Sequence, residues 1–135
     1  MEYELVLSND RGRLVELSQW LDQLTAAVSL TESRAAQMRL AVEEAVVNVL
    51  NYAYPPTQQG MIRVSAELEG DAVAVVIDDE GTPFDPTEAA EPDVTLPPEE
   101  RPIGGLGILL VRQLSSSVSY QRRDGHNVLT LVFKN

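Results

Sequence analysis

The chain has 135 residues, 44% of them hydrophobic, and a formal net charge of −11, which is length and apolar material enough for one domain with a buried core. That charge argues against direct contact with nucleic acid, whose phosphates need Lys and Arg to neutralise them, and Lys134 is the sole lysine. Without cysteine there are no disulfides or thiolate metal sites, and with His126 the single histidine a His-clustered zinc centre is excluded; oxygen-ligand chemistry with a hard cation stays open. No apolar run approaches the ~18 residues of a membrane span. The start, Met1 to Leu5, lacks the positive charge and apolar core of a secretory signal, so the expected setting is cytoplasmic, with no membrane contact.

Glu2 to Leu7 alternates loosely and reads as a short strand. Ser8-Asn9-Asp10 supplies capping candidates for a first helix to about Ala27, with Leu14, Leu17, Leu21, Leu24 and Val28 at helical steps and Trp20 beside them as core. A second helix is expected over Glu32 to Ala53, ended by Pro55-Pro56. Met61 to Leu68 alternates as a half-buried strand with Ile62, Val64, Ala66 and Leu68 inward. Glu69-Gly70-Asp71 is a hairpin turn, and Ala72 to Ile77 is an apolar run suited to a central strand. The segment 83–103, rich in proline and acid and without periodicity, reads as a lid. Gly104-Gly105-Leu106-Gly107 opens a third helix, and Val118 to Gln121, an Asp124-Gly125 turn and Val128 to Phe133 close the chain as a hairpin. The expected fold class is α+β: a single domain over residues 1–135, built as a two-layer sandwich with an antiparallel or mixed sheet covered on one face by three helices.

Three polar features interrupt this apolar plan. On the second helix, Glu44, Asn48 and Asn51 sit at i, i+4 and i+7 and form one stripe on a segment otherwise apolar save for Glu43. This is either a core helix with satisfied polar groups or a carboxylate and two amides facing a ligand or metal. Asp79-Glu80-Gly81 follows the central strand; a carboxylate there can accept a hydrogen bond from an exocyclic amine, although such a sequence is also a common turn. Gly104-Gly105-Leu106-Gly107 precedes a helix, whose first N–H groups favour anions. It is not a P-loop, because no Gly-Lys-Ser/Thr follows. By itself it could equally be a hinge.

Together the three features resemble the GHKL ATPase superfamily, whose Glu-x-x-x-Asn is matched by Glu44 and Asn48, Asp-x-Gly by Asp79 and Gly81, and Gly-x-Gly by Gly105-Leu106-Gly107. Small size and the phrases Glu-Ala-Val-Val-Asn, Pro-Phe-Asp-Pro and Gly-Gly-Leu-Gly-Ile are most similar to bacterial anti-sigma factor serine/threonine kinases. Neither the dimerisation helix pair of histidine kinases nor the transducer domain of gyrase-type and MutL-type enzymes is present in the 135 residues.

That resemblance implies a Bergerat-type ATP-binding fold with ATP and Mg²⁺ as cofactors. Asn48 would hold the metal, Glu44 would be the general base, and Asp79 would accept the adenine amino group. Gly81, Gly105, Leu106 and Gly107 would border base and phosphates, with Asn51 and Thr130 as further contacts. It also implies partners: a sigma factor or similar target, an anti-anti-sigma antagonist as phosphoacceptor, and a homodimer. Departures exist. Arg101 is separated from Gly105 by Pro102-Ile103-Gly104, which puts a γ-phosphate contact in question, and Tyr52-Ala53 stands where relatives often carry His-Gly. His126 is expected as a solvated turn residue. A nucleotide-gated binding module without catalysis, and a helper domain that binds no nucleotide, are the competing readings.

Overall fold

A computed structural model describes residues 2–54, 58–83 and 105–135. Of the lid expected over 83–103, all but Pro83 lies outside the described residues, as do Arg101 and Gly104. The elements in chain order are β1 (Glu2–Ser8), α1 (Leu14–Ala27), α2 (Glu32–Asn48), β2 (Met61–Glu69), β3 (Ala72–Asp79), α3 (Gly105–Leu114), β4 (Ser117–Arg123) and β5 (His126–Phe133). A 3-10 turn, Arg11–Arg13, leads into α1, and a π-helical turn, Val49–Ala53, extends α2. Local chemistry sets these boundaries. The Asp10 carboxylate accepts the Gly12 N–H at 2.9 Å, and the Thr31 hydroxyl caps α2 by accepting the Arg34 N–H at 3.1 Å. Asp124 and Gly125 both have positive φ (53° and 82°), the geometry of a type I′ hairpin turn.

The five strands form one sheet in the order β1-β2-β3-β5-β4, antiparallel at every pairing. This confirms the α+β sandwich and corrects the mixed-sheet alternative. After β3 the chain crosses over through α3 into β4, which runs parallel to β3. The hairpin then lays β5 between the two, so no parallel neighbours ever pair. β3 also runs two residues past the apolar stretch, carrying Asp78 and Asp79 into the ladder opposite Val128 and Asn127.

Strand alternation sends Ile62, Val64, Ala66, Val73, Val75, Ile77, Leu129, Leu131 and Phe133 to one face, where they are buried under α1 and α2. From the helices come Leu17, Trp20, Leu21 and Leu24 of α1 and Met38, Ala41, Val42, Ala45 and Val46 of α2. Each large apolar side chain so buried contributes about 1.5–3 kcal/mol against the entropy lost on ordering. The same alternation places Asp79 and Asn127 on the helix side and Asp78, His126, Val128 and Thr130 on the open side.

Arg34 fastens the far end of this sandwich. Its guanidinium donates to the Lys134 carbonyl (2.8 Å), the Leu114 carbonyl (2.5 Å), Gln37 Oε1 (2.7 Å) and Ser116 Oγ (2.6 Å), and it lies 5.6 Å from the centre of the Phe133 ring. One side chain in the first turn of α2 thus ties α2, the end of α3 and the C-terminal strand together.

Candidate functional site

Where β3 ends, Asp79 is only 3% exposed, in a cleft between α2 and the sheet. Ala45, Val49, Ile77 and Leu129 supply apolar walls, while Asn48, Asp79, Asn127 and Tyr120 supply polar atoms. Asp79 Oδ1 accepts from the Gly81 N–H and from Asn127 Nδ2, both at 2.9 Å. The described residues leave no buried side-chain polar atom without a partner, so Oδ2, which has no hydrogen bond of its own among them, opens to the cleft. Burial pushes this carboxyl above the ordinary carboxylate range and the neighbouring Asp78 adds to that; the bonds from Asn127 and Gly81, with the charge of Arg122, pull it back.

The turn after Asp79 is held from every side. The Glu80 N–H donates to the Tyr54 hydroxyl (2.8 Å), which donates in turn to the Met61 carbonyl (2.8 Å). Burial raises that phenol, so it remains a donor. Arg122 donates to the Gly81 carbonyl at 2.8 Å, Asn127 Nδ2 to the Thr82 carbonyl at 2.8 Å, and the Thr82 N–H to the Ala53 carbonyl at 2.8 Å. A Cβ on Gly81 would sit 2.3 Å from the Ala53 carbonyl oxygen. Glycine is required here because the π-helical turn presses its backbone against the loop.

Of the residues singled out in the sequence, Asn48 (7% exposed) and Asp79 share the cleft, and Gly81 borders it. Glu44 is half-buried one turn before Asn48 on α2. Gly105, Leu106 and Gly107 form the first turn of α3. Asn51 is exposed and accepts a hydrogen bond from Arg11; the wider π-helical turn carries it off the line of Glu44 and Asn48. Thr130 requires a correction. It lies one residue out of phase with Leu129, on the open face of β5 opposite Val76 and Ser119, and does not meet Asp79. His126 is also not a turn residue: it begins β5, half-buried, with Nδ1 2.6 Å from Asp78 Oδ1.

Sequence reasoning passed over Asn127, Tyr54, Tyr120 and Arg122. Asn127 is 3% exposed, and its Oδ1 accepts from the Tyr120 hydroxyl (2.5 Å) and Arg122 (3.2 Å). Its one visible signal is a polar residue at an inward position of an otherwise apolar strand.

A carboxylate sunk in an apolar cleft with one oxygen outward suits a flat ring bearing an amine. The start of α3 at Gly105-Leu106-Gly107 suits an anion. A cleft of that kind, between an antiparallel sheet and a layer of three helices, defines a nucleotide-binding α+β domain. The chain belongs to the family of histidine kinase-like ATPase domains, whose profile matches residues 7–133. It is 32% identical over 117 residues to the serine/threonine-protein kinase BtrW of Bordetella bronchiseptica, covering 84% of this chain and 80% of that protein. It is 30% identical to the serine-protein kinase RsbW of Listeria monocytogenes over 73% of this chain and 65% of that one, and 29% identical to the anti-sigma F factor of Clostridium beijerinckii over 72% and 68%. The RsbU and RsbW domains of Rv1364c from Mycobacterium tuberculosis superpose with a TM-score of 0.69 at 19% identity, over 99% of this chain and 32% of that one. The histidine kinase domain of Erythrobacter litoralis EL346 gives 0.60 at 16% identity, over 87% and 60%. At those identities the likeness is of fold. No helix among the described residues is long and apolar enough to cross a membrane.

Proposed function

We propose that the chain is an ATP-dependent protein serine/threonine kinase of a partner-switching system, which binds a sigma factor or similar target and phosphorylates an antagonist protein. The observation that carries this reading is the pairing of the Asp79 cleft with Glu44 and Asn48 one helical turn apart, in a chain whose relatives are named serine kinases over most of its length. Those names also weigh against the catalysis-free alternative.

In this reading Asp79 Oδ2 accepts the adenine amino group, and the apolar walls sandwich the ring. Asn127 takes the place sequence reasoning gave to Thr130, because its amide holds Oδ1 and thereby turns Oδ2 toward the base. The backbone N–H groups at Gly105, Leu106 and Gly107 donate to phosphate oxygens. Asn48 offers an amide oxygen, a hard donor that fits Mg²⁺. No cluster of three acidic or histidine ligands exists among the described residues, so phosphates and water would complete the coordination. Bound there, the metal supplies neutralisation of charge on the transferring phosphoryl group. Glu44 takes the proton from the attacking serine or threonine hydroxyl.

The test is phosphate transfer from radiolabelled Mg-ATP to an antagonist protein encoded beside this chain. Transfer is expected with wild type and reduced by about 100-fold or more in Glu44→Gln, the loss set by removing a general base, with ATP affinity little changed. Wild-type protein that binds ATP yet phosphorylates no antagonist would sink the kinase reading.

A further inference from the structure

Asp78, Asp79 and Glu80 are consecutive. The middle carboxylate enters the cleft, and its neighbours emerge on the open face of the sheet beside His126. The imidazole lies between them, with Nδ1 2.6 Å from Asp78 Oδ1 and Nε2 3.2 Å from Glu80 Oε1. A neutral imidazole has one N–H and one lone pair; only the imidazolium donates from both nitrogens. Holding both carboxylates at once therefore needs the charged ring. A neutral ring must turn a lone pair toward one of them.

The wider surroundings favour the charged form on balance. Asp78 is the strongest influence and Glu80 adds to it, while partial burial and Arg122 from β4 oppose, leaving His126 above the ordinary histidine range. Arg123 stands opposite His126 on β4. Arg63 of β2 lines the same hollow and is engaged at 3.5 Å by Glu4 of β1.

We propose that His126 is a positioning residue for the nucleotide-binding turn: its imidazolium clasps Asp78 and Glu80 on the open face and so holds Asp79 and Gly81 in place on the other. The cleft side of that turn is pinned through backbone atoms by Tyr54, Arg122, Asn127 and Ala53; the open side is pinned through side chains by this one ring. The inference rests on the ATP reading for the ligand, but not for the brace itself. The brace is complete while His126 is charged and is lost as pH rises through its folded-state titration. Nucleotide affinity falls with it.

Because His126 is the only histidine, its ring protons give a single NMR titration curve. ADP affinity is measured across the same pH range in wild type and in His126→Gln, which share Asp79 and differ only in the brace. Three results are expected. The ring titrates above the ordinary value of about 6.5; ADP binding weakens by about fivefold through that titration, a modest coupling; and His126→Gln stays at the weaker level with no step. By reciprocity, bound ADP moves the His126 titration further up. A ring that titrates at or below the ordinary value overturns the proposal, as do superimposable affinity profiles for the two proteins. If ADP binds neither protein, the ATP reading is what has failed, and amide exchange of Glu80–Thr82 then decides the brace. Protection lost through the His126 titration in wild type alone sustains it; protection independent of pH overturns it.

Discussion

The two ends of the sandwich treat polar groups in opposite ways. In the first turn of α2, Arg34 spends its guanidinium on four protein acceptors drawn from α2, the end of α3, the link into β4 and the C-terminus. In the last turn, about 20 Å along the helix, Asn48 faces a cleft in which Asp79 commits one oxygen to Gly81 and Asn127 and turns the other outward. Both are charged groups at the edge of the same core. One network closes on itself and fastens the fold, whereas the other leaves Asp79 Oδ2 and the Asn48 amide without hydrogen bonds among the described residues. A mostly satisfied network with open polar atoms facing the cleft is what a binding site requires, since its geometry is fixed before the ligand arrives.

The largest effect should come from Asp79→Asn. The new amide can still accept from Gly81 and Asn127 with its oxygen, but its nitrogen then points a donor at the adenine amine, also a donor. Affinity for ATP should fall by about 100-fold or more, the scale at which a site built to accept a hydrogen bond rejects a mismatch. Calorimetric titration checks this. The fold should not suffer, because the substitution removes a buried charge that desolvation disfavours; urea unfolding at neutral pH should show apo stability equal to wild type or higher.

Arg34→Ala should produce the reverse pattern. It removes the Arg34 donor from the Leu114 and Lys134 carbonyls, leaves Ser116 Oγ with only the Lys134 N–H, and strips the cation from the Phe133 ring. A loss of about 2–3 kcal/mol is expected, the cost of deleting hydrogen bonds from a charged donor, read as a lower urea midpoint with unchanged slope. The folded fraction should bind ATP as wild type does. If Arg34→Ala weakened ATP binding without lowering stability, the division between a fastening end and a binding end would be wrong.

That division was only half visible in the sequence. Helical spacing and capping signals placed the helices, while the strands showed as alternation in β1 and β2, as an apolar run in β3 and as the two arms of the Asp124-Gly125 turn in β4 and β5. Asp79 and Asn48 stood out as polar residues interrupting apolar elements. Thr130 came from the resemblance and not from strand parity; alternation with the inward Leu129, Leu131 and Phe133 puts it on the open face. Asn127, Tyr54 and Arg122 were missed for another reason. Each reaches Asp79–Gly81 from a distant stretch of chain: the antiparallel order β3-β5-β4 brings Asn127 and Arg122 there, and Tyr54 comes from the end of the π-helical turn. The π-helical turn is likewise tertiary in origin, since nothing in Val49–Ala53 departs from an ordinary helical composition.

The binding end carries a pH signature that the fastening end lacks. Asp79 has its folded-state titration raised above the unfolded value of about 3.9. A group shifted in that direction lends the apo fold its full stability below the unfolded value and loses that contribution as pH rises through the folded one. Binding runs the other way, because the adenine amine needs an acceptor and protonation of Oδ2 removes it. As pH falls below the folded-state titration, ATP affinity should drop by about tenfold per unit, while the contribution of this group to apo stability grows. Measuring both quantities as pH is lowered from neutrality should give two curves of opposite slope. Asp79→Asn should flatten the part of each that Asp79 contributes. Parallel curves would mean that the buried carboxylate belongs to the fold and not to the ligand.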